Sequence, residues 1–62
     1  MLTWGEVTDA GSPVLVRIVG DTSDTPCPLA NTDVVGVVGT NDKVLLALVG
    51  GTWVITCILE AT

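Results

Sequence analysis

The chain has 62 residues, is 48% hydrophobic with a mean hydropathy of +0.70, and sets two cations, Arg17 and Lys43, against seven acids for a net charge of −5. That length accommodates one domain, residues 1–62. Two cations cannot neutralise a run of phosphates, and the negative balance repels polyanions, so nucleic acid and anionic membrane surfaces are excluded as expected partners.

The N-terminus, MLTWGEVTDAG, carries no basic region ahead of an apolar core and does not read as a signal peptide. The longest uncharged stretch, Val44 to Leu59, holds two glycines and two threonines and is too short to span a bilayer as a helix. The expectation is a chain made and used without secretion.

In chain order, Trp4 to Thr8 is the first predicted strand. Asp9-Ala10-Gly11-Ser12 is a turn, with Pro13 holding Ser12 extended. Val14 to Val19 alternates, with Val14, Val16 and Ile18 on one face and Leu15, Arg17 and Val19 on the other; Arg17 marks the second face as solvated. Thr22 to Thr32 is a polar, Pro-containing loop with an edge-strand segment near Pro26 to Leu29 and at most one helical turn around Leu29 to Asn31. Asp33 to Val38 reads as a short strand broken by Gly36, and Gly39-Thr40-Asn41-Asp42 as a further turn.

The strongest local signal is the segment Lys43 to Glu60, where two apolar runs flank Gly50-Gly51. Glycine tolerates the positive φ angles of a type I′ hairpin turn. A two-residue turn pairs Leu48 with Trp53, Leu46 with Ile55 and Val44 with Cys57 on one face. On the other it pairs Val49 with Thr52, Ala47 with Val54 and Leu45 with Thr56. Neither face is polar, so the hairpin reads as covered on both sides. The face with Leu46, Leu48, Trp53 and Ile55 carries the larger side chains and is expected to line the core. The predicted fold is all-β: a small five-stranded antiparallel barrel, OB-like or SH3-like, with no substantial helix.

Residues that carry chemistry are scarce. The chain has no His and no Tyr, and Asp9, Asp21, Asp24, Asp33 and Asp42 lie in turns, where they read as turn-formers and solubilising charges. Asp21 and Asp24 with Thr22 and Ser23 do not match the spacing of a calcium loop. Ser12 and Ser23 have no base to activate them. Gly36 to Gly39 is followed by no Lys and does not read as a phosphate cradle. Cys27 and Cys57 cannot close a zinc site within one chain; Cys57 reads as a small buried hydrophobe and Cys27 as a free thiol in a loop. No catalytic, cofactor or metal residue is expected, and the chain does not read as an enzyme. Trp4 and Trp53 are either core fillers or interface anchors. Trp4, Leu45, Ala47, Val49, Val54 and Trp53 form the candidate protein interface.

The segments VLVRIVGDTSDTPCPL, Asp42-Lys43-Val44-Leu45 and Gly50-Gly51-Thr52-Trp53-Val54-Ile55 resemble the small OB-like barrel modules of tailed-bacteriophage virion proteins, especially in phages of actinobacteria. Asn41 stands where those modules have Gly before the Asp. The resemblance covers most of the chain and implies a barrel in a virion assembled in a host cytoplasm. It implies a capsid-binding decoration or minor capsid protein packed on neighbouring subunits and on itself as a homo-oligomer. The alternatives are a tail, head–tail connector or baseplate component forming a ring or trimer, and a free-standing protein-binding adaptor.

Overall fold

The computed structural model describes residues 1–62. It contains β1 (Leu2–Asp9), β2 (Leu15–Ile18), β3 (Thr25–Pro26), a single helical turn α1 (Thr32–Val35), β4 (Lys43–Val49) and β5 (Thr52–Glu60). The strands form one antiparallel sheet in the order β3-β2-β1-β4-β5. The fold is all-β, as expected, and the sheet is not closed by a continuous ladder. Across the gap between its ends, Ile55 donates its N–H to the Pro28 carbonyl (2.8 Å) and accepts from the Ala30 N–H (2.9 Å), which makes a lone parallel bridge at Leu29.

Positive φ angles at Gly50 (58°) and Gly51 (82°) give the hairpin turn its two left-handed residues. The expected pairs at Leu48–Trp53, Leu46–Ile55, Ala47–Val54 and Val49–Thr52 are present. The pairs Val44–Cys57 and Leu45–Thr56 are not: the register shifts between Leu45 and Leu46, so Leu45 pairs with Cys57 and Val44 with Ile58. Thr56 is the extra residue of a β-bulge, and its hydroxyl donates to the Leu45 carbonyl at 3.0 Å. The bulge moves Cys57 off the inward face, where it is half-buried, and turns Ile58 toward the core.

The core gathers inward residues from every part of the sheet: Val7, Val16, Ile18, Val44, Leu46 and Ile55. The favoured hairpin face does line it, but only in its middle. Leu46 and Ile55 are fully buried, Trp53 is half-buried against the cluster, and Leu48 is 40% exposed where the hairpin runs past the end of the body.

Two sequence expectations are corrected. Asp33 to Val38 is not a strand. Asn31 caps α1 by accepting the Asp33 N–H at 2.8 Å, and Gly36, at φ 84°, ends it by donating to Thr32. This turn buries Val35 and Val38 and leaves Val37 94% exposed, whereas a strand would put Val35 and Val37 on one face. It begins at Thr32, after the expected Leu29–Asn31 position. Cys27 is a free thiol in a loop, as expected, but a buried one. It sits wholly inside the core, on a segment tied to the chain before β2 by the Cys27 N–H to the Val14 carbonyl and to β5 by the Ile55 N–H to the Pro28 carbonyl.

Gly5 permits the closest approach in the sheet. It pairs with Ile18 on β2 and with Val44 on β4. A Cβ placed there would lie 2.6 Å from Val16 Cγ1 and 2.8 Å from the Arg17 carbonyl oxygen. A backbone atom cannot yield as a side chain can, so Gly5→Ala is expected to destabilise the fold by about 2 kcal/mol through overpacking. Urea titration checks this; a variant within about 0.5 kcal/mol of the parent would show that β1 and β2 are not in such contact.

Candidate interaction face

Alternation along β1, β4 and β5 turns one set of residues away from the core, and the register lines them up in rows. Trp4 lies beside Leu45, and Leu45 beside Cys57; Leu2 lies beside Ala47, and Ala47 beside Val54; Val49 faces Thr52 at the hairpin tip. Five of the six candidate interface residues, Trp4, Leu45, Ala47, Val49 and Val54, therefore share one outer face. The sixth, Trp53, pairs with Leu48 on the inward side and packs against the core. Trp4 is 41% exposed and Val49 61% exposed. Large apolar side chains in contact with one another and open to water mark interaction surfaces more often than scattered ones do.

A charged row borders this apolar face. Glu6 is flanked by Arg17 on β2 and Lys43 on β4, and Lys43 is flanked by Glu60 on β5. Across four adjacent strands the signs run plus, minus, plus, minus. The row holds every Lys, Arg and Glu of the chain. It is neutral in sum, and the entire net charge of −5 resides on the five aspartates outside it. Lys43 Nζ lies 3.7 Å from Glu60 Oε1, and Arg17 Nη2 lies 3.2 Å from Asp24 Oδ1. Exposed pairs of this kind contribute little to stability, roughly 0–1 kcal/mol.

One charge near the row is buried, which sequence reading missed. Asp42 was expected to be a solvated turn residue. Its Oδ2 accepts the Gly39 N–H at 2.8 Å, and its Oδ1 accepts both the N–H and the hydroxyl of Thr62 at 3.0 Å. The Thr62 hydroxyl also lies 3.2 Å from the Thr40 carbonyl. Asn41, where the resembled modules have Gly, takes the positive φ of the turn at 75°. Asp42 thus joins the start of β4 to the chain just beyond β5, beside the Lys43–Glu60 pair. The donated N–H groups of Thr62 and Gly39 favour the carboxylate and hold its pKa below the ordinary aspartate range, against the opposing effect of burial.

Cys27 lines a groove between the Gly11–Val14 loop and the Pro26–Leu29 segment. Its thiol is 3.4 Å from the Thr25 carbonyl, and burial raises its pKa, so it acts as a neutral apolar filler. No group of three or more His, Cys, Asp or Glu side chains comes together, and no helix is long and apolar enough to cross a membrane.

Comparison of the chain with protein-family models, with curated proteins and with solved structures finds no match.

Because the folded pKa of Asp42 lies below the unfolded one, near ~3.9, its contribution to stability is complete above the unfolded value. It is lost as pH falls through the folded value. Asp42→Asn should lower stability at neutral pH, and the gap to the parent should close in strong acid. Urea titrations of both proteins across the acid range test this; a gap that stays constant with pH would show that the carboxylate charge is not what binds Thr62.

Proposed function

We propose that this chain is a non-enzymatic structural protein of a bacteriophage virion, a small decoration or minor capsid protein that packs on neighbouring capsid subunits and on itself. The observation that carries the reading is the outer face of β1, β4 and β5. There Trp4, Leu45, Ala47 and Val54 adjoin in register, Trp4 exposed and the other three half-buried. A face of this kind gains by association, because each apolar Å² removed from water contributes about 25 cal/mol. Its location in a virion rests on the resemblance of Asp42-Lys43-Val44-Leu45 and Gly50-Gly51-Thr52-Trp53-Val54-Ile55 to phage barrel modules. Both motifs build the two strands that contribute most of the face. The positive φ at Asn41 fits the same turn that the modules make with Gly.

Between the two barrel types, the OB-like reading is favoured. A partly open, five-stranded arrangement in which the segment after β3 bridges β5 in parallel fits that architecture.

Leu45 lies in the middle of the face, half-buried by its own neighbours and not part of the core cluster. Leu45→Asp should impair incorporation into particles at least tenfold while costing the isolated fold about 1 kcal/mol or less. Incorporation measured beside urea stability tests this. Normal incorporation of the variant would contradict the reading. Counting copies per particle separates the capsid role from the tail alternative: hundreds of copies support decoration, and a handful would favour a ring or trimer in the tail.

A further inference from the structure

We propose that the outer face closes on a second copy of the same chain through a two-fold axis running along the strands, with the charged row as its register. This rests on the reading of that face as an assembly surface and names its partner. A two-fold contact uses one patch twice, so the patch must complement itself when reversed. A two-fold axis along the strands keeps each row at its own height and reverses the order of positions within it. The charged row, read across β2, β1, β4 and β5, is Arg17, Glu6, Lys43, Glu60. Reversed, it reads Glu60, Lys43, Glu6, Arg17. Every position then meets its opposite: Arg17 faces the second copy's Glu60, and Glu6 faces the second copy's Lys43.

A single-sign row would repel itself in this arrangement, and a row of pattern plus, minus, minus, plus would set like charges against each other. The alternating pattern is self-complementary. The row itself sums to zero charge, although Arg17 also pairs with Asp24 of its own chain at 3.2 Å. The apolar rows obey the same reversal. Trp4 would lie against Leu45 of the second copy and Leu2 against Ala47, each larger side chain meeting a smaller one. Size agrees as well. A stable interface takes about 800 Å² per partner, roughly a fifth of the 3722 Å² surface of this molecule. A whole face of a body 23 × 22 × 20 Å across can supply that area, whereas one strand edge cannot.

The test is sedimentation equilibrium of the full chain from about 1 μM to several hundred μM, with melting temperature followed in parallel. The parent should show a monomer–dimer equilibrium. Glu6→Lys should weaken it at least tenfold, because the symmetry sets two like-charge contacts in the interface. The double variant Glu6→Lys with Lys43→Glu should restore the dimer to within a few-fold. Within each chain the double variant places like charges side by side, next to Arg17 and next to Glu60. Recovery of the dimer without recovery of the melting temperature therefore identifies pairing between copies. The Arg17→Glu with Glu60→Lys pair repeats the test at the outer positions, should the inner variants fail to fold. A parent that remains monomeric throughout, or double variants no better than the single one, would overturn the proposal. A monomer that still incorporates into particles overturns the two-fold pairing and leaves the assembly reading standing; a dimer never found in particles supports the pairing and contradicts the virion reading.

Discussion

The centre of this fold depends on how closely β1 and β2 can meet at Gly5. β1 is the central strand, hydrogen-bonded to β2 on one side and to β4 on the other, and Gly5 pairs with both. Because Gly5 has no side chain, Val16 and the backbone of β2 come in over it, and Val7, Val16, Val44 and Leu46 complete a core small enough for 62 residues to fill. The same alternation then dictates the outside. With Thr3, Gly5 and Val7 turned inward, Leu2, Trp4 and Glu6 must turn outward. Their cross-strand partners on β4 are Ala47, Leu45 and Lys43. One crowded position on the inner face therefore fixes both the apolar rows and the charged row on the outer face.

Parts of the structure whose causes are local were legible in the sequence. The Gly50-Gly51 turn needs positive φ at two adjacent residues, and only glycine supplies that without strain; the four pairs nearest the turn follow from it. Parts whose causes are distant were not. The bulge at Thr56 lets Ile58 enter the core and sends Cys57 outward, and nothing within β5 itself announces it. Asp42 reads as one more turn acid, because its partner Thr62 lies 20 residues away. At α1 the β-branched valines suggested a strand, while Asn31 and Gly36, a cap and a stop, were the better signals. The turn lets both Val35 and Val38 enter the core, with α1 packed on β5. Gly5 carries a general signal of its own: a glycine inside a strand marks close backbone approach.

That most of the candidate residues share one face was legible for the same local reason as the hairpin. Once the turn fixed which residues of β4 and β5 share a face, Leu45, Ala47, Val49 and Val54 fell together, and β1 added Trp4 beside them. Trp53, expected on the core face with Leu46, Leu48 and Ile55, lies there half-buried, on the opposite face from Trp4. The charged row was invisible until the strand order was known. Arg17, Glu6, Lys43 and Glu60 are scattered along the chain, and only the order β2-β1-β4-β5 makes them neighbours.

The central claim is that the outer face of β1, β4 and β5 is a contact surface. The most direct measurement is paramagnetic relaxation of the methyl groups by a soluble probe, recorded on dilute and on concentrated protein. The methyls of Leu45, Ala47 and Val54 should relax strongly when dilute and become protected on concentration. Those of Val34 and Val37, exposed on and after α1, should stay equally accessible throughout. Equal accessibility of both sets at every concentration would contradict the claim.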